Sequence, residues 1–234
     1  VTPMPPLSER AAARARRDPG SPLLTHYHPA AGERVELNAR SLANWLDKTA
    51  NLLDALGVDA DSEVALPVLL ERPAGWMGLL LPPACWQRGV GCRVTGRDEA
   101  SSADVAVIGP ADLAAVAPDT LACSMHPWGL GLPALPEGVT DFSSAALAEP
   151  DVHTGQPADP DAIAWADAER EVTFAELAAL PGSGERVLLH TDDPWTAVSG
   201  LWTALSGDGS LVLVEGDADE ATLARLADAE RAAR

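Results

Sequence analysis

Two histidines one residue apart, His26 and His28, are the first residues whose spacing could do chemistry. On a strand alternate side chains share a face, so both rings could point at one metal ion. No cysteine or acidic partner follows at a recognisable ligand spacing, and an exposed hairpin accounts for the pair more simply. Ser199-Gly200 lacks the flanking glycine of a nucleophile elbow and falls inside a helical pattern, so it offers no hydrolase nucleophile. Gly182-Ser-Gly184 precedes a strand instead of joining strand to helix, which makes it a turn and not a phosphate loop. The strongest candidate is Ser124-Met-His-Pro-Trp-Gly-Leu-Gly131. Its Pro/Gly frame marks a loop, and His126 and Trp128 there could line a ligand cleft between lobes. The plainer alternative is an inter-lobe loop with Trp128 as its packing anchor. No residue set specifies a catalytic group, a cofactor or a metal.

The elements that must position these residues follow from pattern. Residues 8–17 read as a short helix with Ser8 as N-cap. Leu23–Tyr27 and Glu33–Leu37 read as strands joined across a hairpin-like connection. Ser41 is placed to cap the next helix, in which Leu42, Trp45, Leu46, Thr49, Leu52, Leu53 and Leu56 keep helical spacing up to Gly57. Glu63–Leu70 reads as a buried strand, Trp76–Trp86 as an apolar helix, and Cys92–Val94 and Val105–Ile108 as further strands. Residues 129–161 are rich in Pro, Gly and Asp and read as a connector. Beyond it come extended pieces at Ala162–Trp165 and Glu171–Phe174, then a helix at Ala175–Leu180. A strand at Glu185–His190, a helix at Pro194–Leu205, a strand at Leu211–Val214 and an amphipathic helix from Asp217 to Arg234 complete the pattern.

Strand–helix–strand at this spacing specifies an α/β fold of parallel βαβ units. Glu33–Leu37 before a helix parallels Arg170–Phe174 before a helix, and Ser62–Leu66 parallels Gly184–Leu188. Two similar lobes are expected, at 23–128 and 162–234, after an N-terminal helix and break at 1–22. Val64–Leu66 and Val187–Leu189 are expected to be their equivalent central strands.

A formal net charge of −19 over 234 residues repels nucleic-acid phosphates and anionic lipid. That leaves an unidentified protein partner or a small neutral or apolar ligand, with a homo-oligomer also open. Three cysteines without metal-site spacing fit reduced thiols, with Cys85 and Cys92 partly buried. No apolar signal core opens the chain and no apolar run reaches membrane-spanning length, so a cytoplasmic protein is expected. Lys48 is the only lysine.

The run Glu36-Leu-Asn-Ala-Arg-Ser-Leu-Ala-Asn44, then Ala50-Asn-Leu-Leu-Asp-Ala-Leu-Gly-Val58 and Glu63-Val-Ala-Leu66, resembles the start of adenylate-forming enzymes. These are the acyl-CoA synthetases and the adenylation domains of peptide synthetases. Gly184–Leu189 through Ser210–Val214 resembles a segment of their second lobe, and the two-part pattern resembles a small actinobacterial family of shortened chains. The resemblance implies the large N-terminal domain of that superfamily. Its chemistry needs a Ser/Thr/Gly-rich phosphate loop ending in Pro-Lys, acidic residues for Mg²⁺ and ribose, and a lysine from a C-terminal domain. The loop would fall at 129–161, where Ser143-Ser144 is the nearest approach, and the C-terminal domain would lie beyond Arg234. The expectation is a non-catalytic binding or regulatory protein. The alternative is a remnant enzyme with weak affinity for an adenylate, acyl group or CoA-like molecule.

Overall fold

A computed structural model describes residues 8–234. Helix α1 (Ser8–Arg17) forms on the Ala/Arg run; the cap expected of Ser8 lies outside the described side chains. Strands β1 (Pro22–His28) and β2 (Glu33–Asn38) pair antiparallel across a 3-10 turn, Pro29–Ala31. Helix α2 (Ala39–Ala55) is capped by Asn38, whose side-chain oxygen accepts the Ser41 N–H at 2.8 Å. Ser41, the expected cap, thus stands in the first turn. The expected stripe is present, with Leu42, Leu46, Thr49, Leu52 and Leu53 buried.

Prolines shorten the next two expected elements. Strand β3 is only Val64–Ala65, because Pro67 turns the chain into a single helical turn, α3 (Val68–Glu71). The expected helix Trp76–Trp86 is a 3-10 turn at Gly78–Leu80 followed by α4 (Leu81–Gln87). Pro82 and Pro83 sit in the first turn of α4, where a missing N–H costs nothing. The chain continues through β4 (Cys92–Arg93), β5 (Val105–Ile108), β6 (Asp119–Ala122), β7 (Val139–Asp141), α5 (Phe142–Ala148), β8 (Ile163–Ala166), β9 (Glu171–Thr173) and α6 (Phe174–Ala179). It ends with β10 (Arg186–His190), α7 (Pro194–Ser206), β11 (Ser210–Val214) and α8 (Glu220–Glu230).

The strands form two sheets. One has the order β7-β6-β5-β3-β4-β8-β9 and is parallel except at β8–β9. The other has the order β10-β11-β1-β2 and is parallel except at β1–β2. Each holds a parallel βαβ unit, β3–β4 around α3 and α4, and β10–β11 around α7.

Sheet membership redraws the expected lobes. The β1–β2 hairpin, expected in lobe 23–128, joins β11 from Leu24 opposite Leu211 to Tyr27 opposite Val214. Strands β8 and β9, expected in lobe 162–234, flank β4 instead. The 129–161 connector holds β7 and α5, so it belongs to the larger sheet. Val64–Leu66 runs mid-sheet as expected, whereas Val187–Leu189 lies in β10 at an edge. All five residues of β11 are buried, and a buried strand must pair on both sides; β10 and β1 supply the two partners.

One core joins the sheets through α1, α2, α4 and α7. Trp86 of α4 meets Trp202 of α7 edge-on at 5.4 Å, and its indole N–H donates to Ala164 O in β8 at 2.8 Å. A smaller cluster on the far face of the four-stranded sheet packs Leu188, Val212 and Val214 under Leu223 and Leu226 of α8. Among the described residues no helix is long and apolar enough to cross a membrane.

Candidate functional site: a cleft between the sheets

A cleft of about 920 Å³ opens where the carboxyl ends of β4, β8 and β10 approach one another. Such ends are where open α/β sheets ordinarily receive ligands. Three short segments build it: Arg93–Gly96 after β4, the β8–β9 turn Asp167–Arg170, and the β10–α7 turn Asp192–Pro194. Glu63, Leu70, Glu99 and Ser102 complete the lining.

Each segment is held by its own hydrogen bonds. Asp167 accepts the backbone N–H groups of Glu169 and Arg170 at 2.8 and 2.9 Å and the Trp165 indole N–H at 2.8 Å. Asp193 caps α7, accepting the Thr196 N–H at 3.2 Å and its hydroxyl at 2.6 Å. Glu99 accepts the Thr95 hydroxyl at 2.5 Å and the Gly96 N–H at 3.1 Å, bonds that hold its carboxyl below the ordinary range.

The charge of the rim is lopsided. Six carboxylates, Glu63, Glu99, Asp167, Glu169, Asp192 and Asp193, face two guanidiniums, Arg93 and Arg170. Arg93 pairs with Glu63 at 3.1 Å. Arg170 pairs with Asp193 at 2.9 Å, Glu169 at 2.8 Å and Asp167 at 3.4 Å. Burial acts to raise the Asp193 carboxyl, but the bonds from Thr196 and Arg170 outweigh it and hold it low. The cleft therefore carries negative potential, and both of its cations are already bonded to carboxylates.

His126 and Trp128 do not line this cleft. Both are exposed, Trp128 by 82%, so the ring is no packing anchor. Their loop is nevertheless cross-braced. The Ser124 hydroxyl donates to Leu130 O at 2.5 Å, Trp128 N–H donates to His126 Nδ1 at 3.1 Å, and Gly129 N–H donates to His126 O at 2.9 Å. Gly129 adopts φ +67, and a Cβ there would lie 2.9 Å from the Trp45 ring, so glycine is required on both counts. The loop lies against α2 through that ring. Sequence reasoning missed the cleft because its walls come from three distant turns. The legible signals were the cap pattern Asp193-Pro-Trp-Thr196 and the acidic turn Asp167–Arg170.

The His26–His28 pair has another role. The His26 ring is buried, with Nε2 2.8 Å from Glu215, and Arg72 grips the same carboxylate with two bonds of 2.6 Å. Burial acts to raise Glu215, but the bonds from His26 and Arg72 pull it down to about 2. Arg72 also donates to Met125 O at 3.2 Å, tying this seam to the base of the Trp128 loop. His28 is half-buried beside Glu33. Ser199 lies inside α7 and donates to Thr196 O at 3.3 Å. Among the described residues no group of three His, Cys, Asp or Glu could hold a metal ion.

The architecture is that of the N-terminal domain of adenylate-forming enzymes. An acyl-CoA synthetase from Brucella canis superposes with a TM-score of 0.78 at 16% identity, covering 99% of this chain and 47% of that one. The N-terminal domain of FACL13 from Mycobacterium tuberculosis gives 0.72 at 13% identity, with 98% and 62% covered. The acetoacetyl-CoA synthetase from Streptomyces lividans gives 0.69 at 14%, with 90% and 38% covered. This chain thus spans between about two fifths and three fifths of those structures, and at such identities the likeness shows the fold alone. No protein-family model matches the chain. A protein of Mycobacterium tuberculosis described as a TIGR03089 family protein is 35% identical, covering 94% of this chain and 93% of its own length. The chain belongs to the TIGR03089 family.

Proposed function

We propose that this chain is a non-catalytic binding protein on the adenylate-forming fold, taking a small ligand without negative charge in the cleft between its sheets. The rim carries this reading: six carboxylates against two paired guanidiniums. One uncompensated pair of like charges at about 6 Å costs about 3 kcal/mol at an effective dielectric of about 20. A triphosphate brings several such pairs. Lys48, the single lysine, supports the same reading. It does not line the cleft and is engaged elsewhere, 2.8 Å from Asp151 and bonded to the carbonyls of Leu147 and Glu149. Leu70, Val94, Ala168 and Pro194 give the cleft apolar surface for a neutral ligand. Three buried free thiols, Cys85, Cys92 and Cys123, suit a reducing cytoplasm.

The test is a thermal-shift screen of the purified protein against ATP, AMP, CoA, short acyl-CoAs, neutral amides and alcohols, and primary amines. A ligand of the native state raises Tm. The expected result is a shift from a neutral or amine compound, none from the phosphates, and background pyrophosphate release with any acyl substrate. Tight ATP binding or acid-dependent turnover overturns the reading.

A further inference from the structure

Six large apolar side chains are exposed among the described residues, and four of them, Trp128, Leu130, Leu147 and Val152, fall within one 25-residue stretch. That stretch is tied along one flank of α2. Gly129 sits against Trp45, Lys48 bonds the Leu147 and Glu149 carbonyls, and Asn51 donates to the Pro150 and Val152 carbonyls at 3.0 and 3.1 Å. Positions 45, 48 and 51 advance about 4.5 Å per step along a helix, so the segments that carry the apolar residues are held in a row along it. Lone exposed leucines need no explanation, but a row headed by an indole does. The loop that carries the indole is pre-organised. The bonds of Ser124, His126 and Arg72 fix it before any partner arrives, which removes much of the ordering cost of binding.

We propose that this flank docks an amphipathic helix of a partner protein, with one apolar face and lysine or arginine along its borders. Anchor points about 4.5 Å apart along α2 suit the i, i+3 repeat of such a face, and aromatic side chains dominate binding energy at interfaces of this kind. Charge selects the rest of the chemistry. Glu149 and Asp151 lie between Leu147 and Val152, and the one lysine nearby is already paired with Asp151. A second copy of this chain would bring another −19 to the contact, whereas a basic helix meets opposite charge.

The probe is an 18-residue Leu/Lys amphipathic peptide, with its Leu/Glu counterpart as control. Binding is read by calorimetry at 50 and 500 mM salt against the wild type, Trp128→Ala, and Leu70→Ala as an off-patch control. The expected result is binding of the Leu/Lys peptide alone, weakened at least tenfold by Trp128→Ala and by high salt, and unchanged by Leu70→Ala. Because Trp128 is exposed, its variant should melt within about 2 °C of the wild type. Equal binding by both peptides, no binding, or indifference to Trp128→Ala overturns the proposal. So does a dimer in sedimentation that Trp128→Ala dissolves, since the occupant would then be a second copy.

Discussion

The two sheets are bridged by arginine in two places, and the bridges differ in kind. At the seam, Arg72 beyond α3 grips Glu215 at the end of β11, with His26 on the same carboxylate; Glu215 and His26 are buried and Arg72 half-buried. At the cleft, Arg170 beside β9 reaches Asp193 before α7, with water on one side and two further carboxylates competing for the guanidinium. A buried pair gives little net stability when made, yet costs much when one partner is removed. An exposed pair is screened and worth little either way. The seam therefore fixes how the sheets sit, and the cleft bridge is the looser of the two.

The largest expected effect is at the seam. Glu215→Ala leaves the half-buried Arg72 without its counter-ion and the buried His26 without its acceptor, and should cost roughly 3 kcal/mol in urea unfolding. If Arg170→Ala costs as much, the contrast between the bridges is wrong. Acid reads the same difference without a large truncation. Folded Glu215 protonates near 2, against an ordinary value of 4.5. Its contribution is complete above about 4.5 and is lost as pH falls towards 2, because only the unfolded chain takes up the proton in that window. Glu230, also held at about 2 by Tyr27, Arg186 and Arg34 against the opposing effect of burial, adds to the slope. Urea midpoints between pH 6 and 3 should fall steeply in the wild type and less steeply in Glu215→Gln. Equal slopes would remove Glu215 from the account.

Asp193 stands between the two cases, since it both caps α7 and receives Arg170. Asp193→Ala should cost about 1 kcal/mol, the ordinary worth of an N-cap. Asp193→Asn keeps the cap and loses only the charge, so it should recover most of that loss. If Asn is no better than Ala, the ion pair is the stronger contribution and the cleft bridge is not loose.

What could be read from residues alone stops at pairing across distance. The α2 stripe, β5, the β8–β9 turn and the β10–α7–β11 unit were legible because each rests on neighbouring residues. Strands β6 and β7 were not, since Asp119–Ala122 and Val139–Asp141 are short and take their order from the sheet. The exchange of the β1–β2 hairpin into the sheet of β11 has no local signature either. The same limit applies to the site. Trp128 stood out as a residue type in a loop, and its exposure follows only once Gly129, not the indole, is seen filling the space against Trp45. The cleft needed Arg93, Asp167 and Asp193 brought together from three turns.

The smallest effect on stability should come from Arg170→Ala, and it bears most directly on function. The guanidinium is a quarter exposed and shares itself among Asp167, Glu169 and Asp193, so its loss should change unfolding by less than about 1 kcal/mol. The backbone of the turn should hold, because Asp167 keeps its bonds from Glu169, Arg170 N–H and Trp165 whatever the side chain at 170. Charge is what changes: the rim then carries six carboxylates and one guanidinium, itself paired with Glu63. An amine that binds the cleft should bind the variant more tightly, by a few-fold at low salt and less at high salt, as screening requires. A neutral ligand should be indifferent, and a phosphate ligand should bind more weakly still. Calorimetry of the best thermal-shift hit against both proteins separates these outcomes. Tighter phosphate binding in the variant would mean that Arg170 obstructs an anion site, and that the rim has been read with the wrong sign.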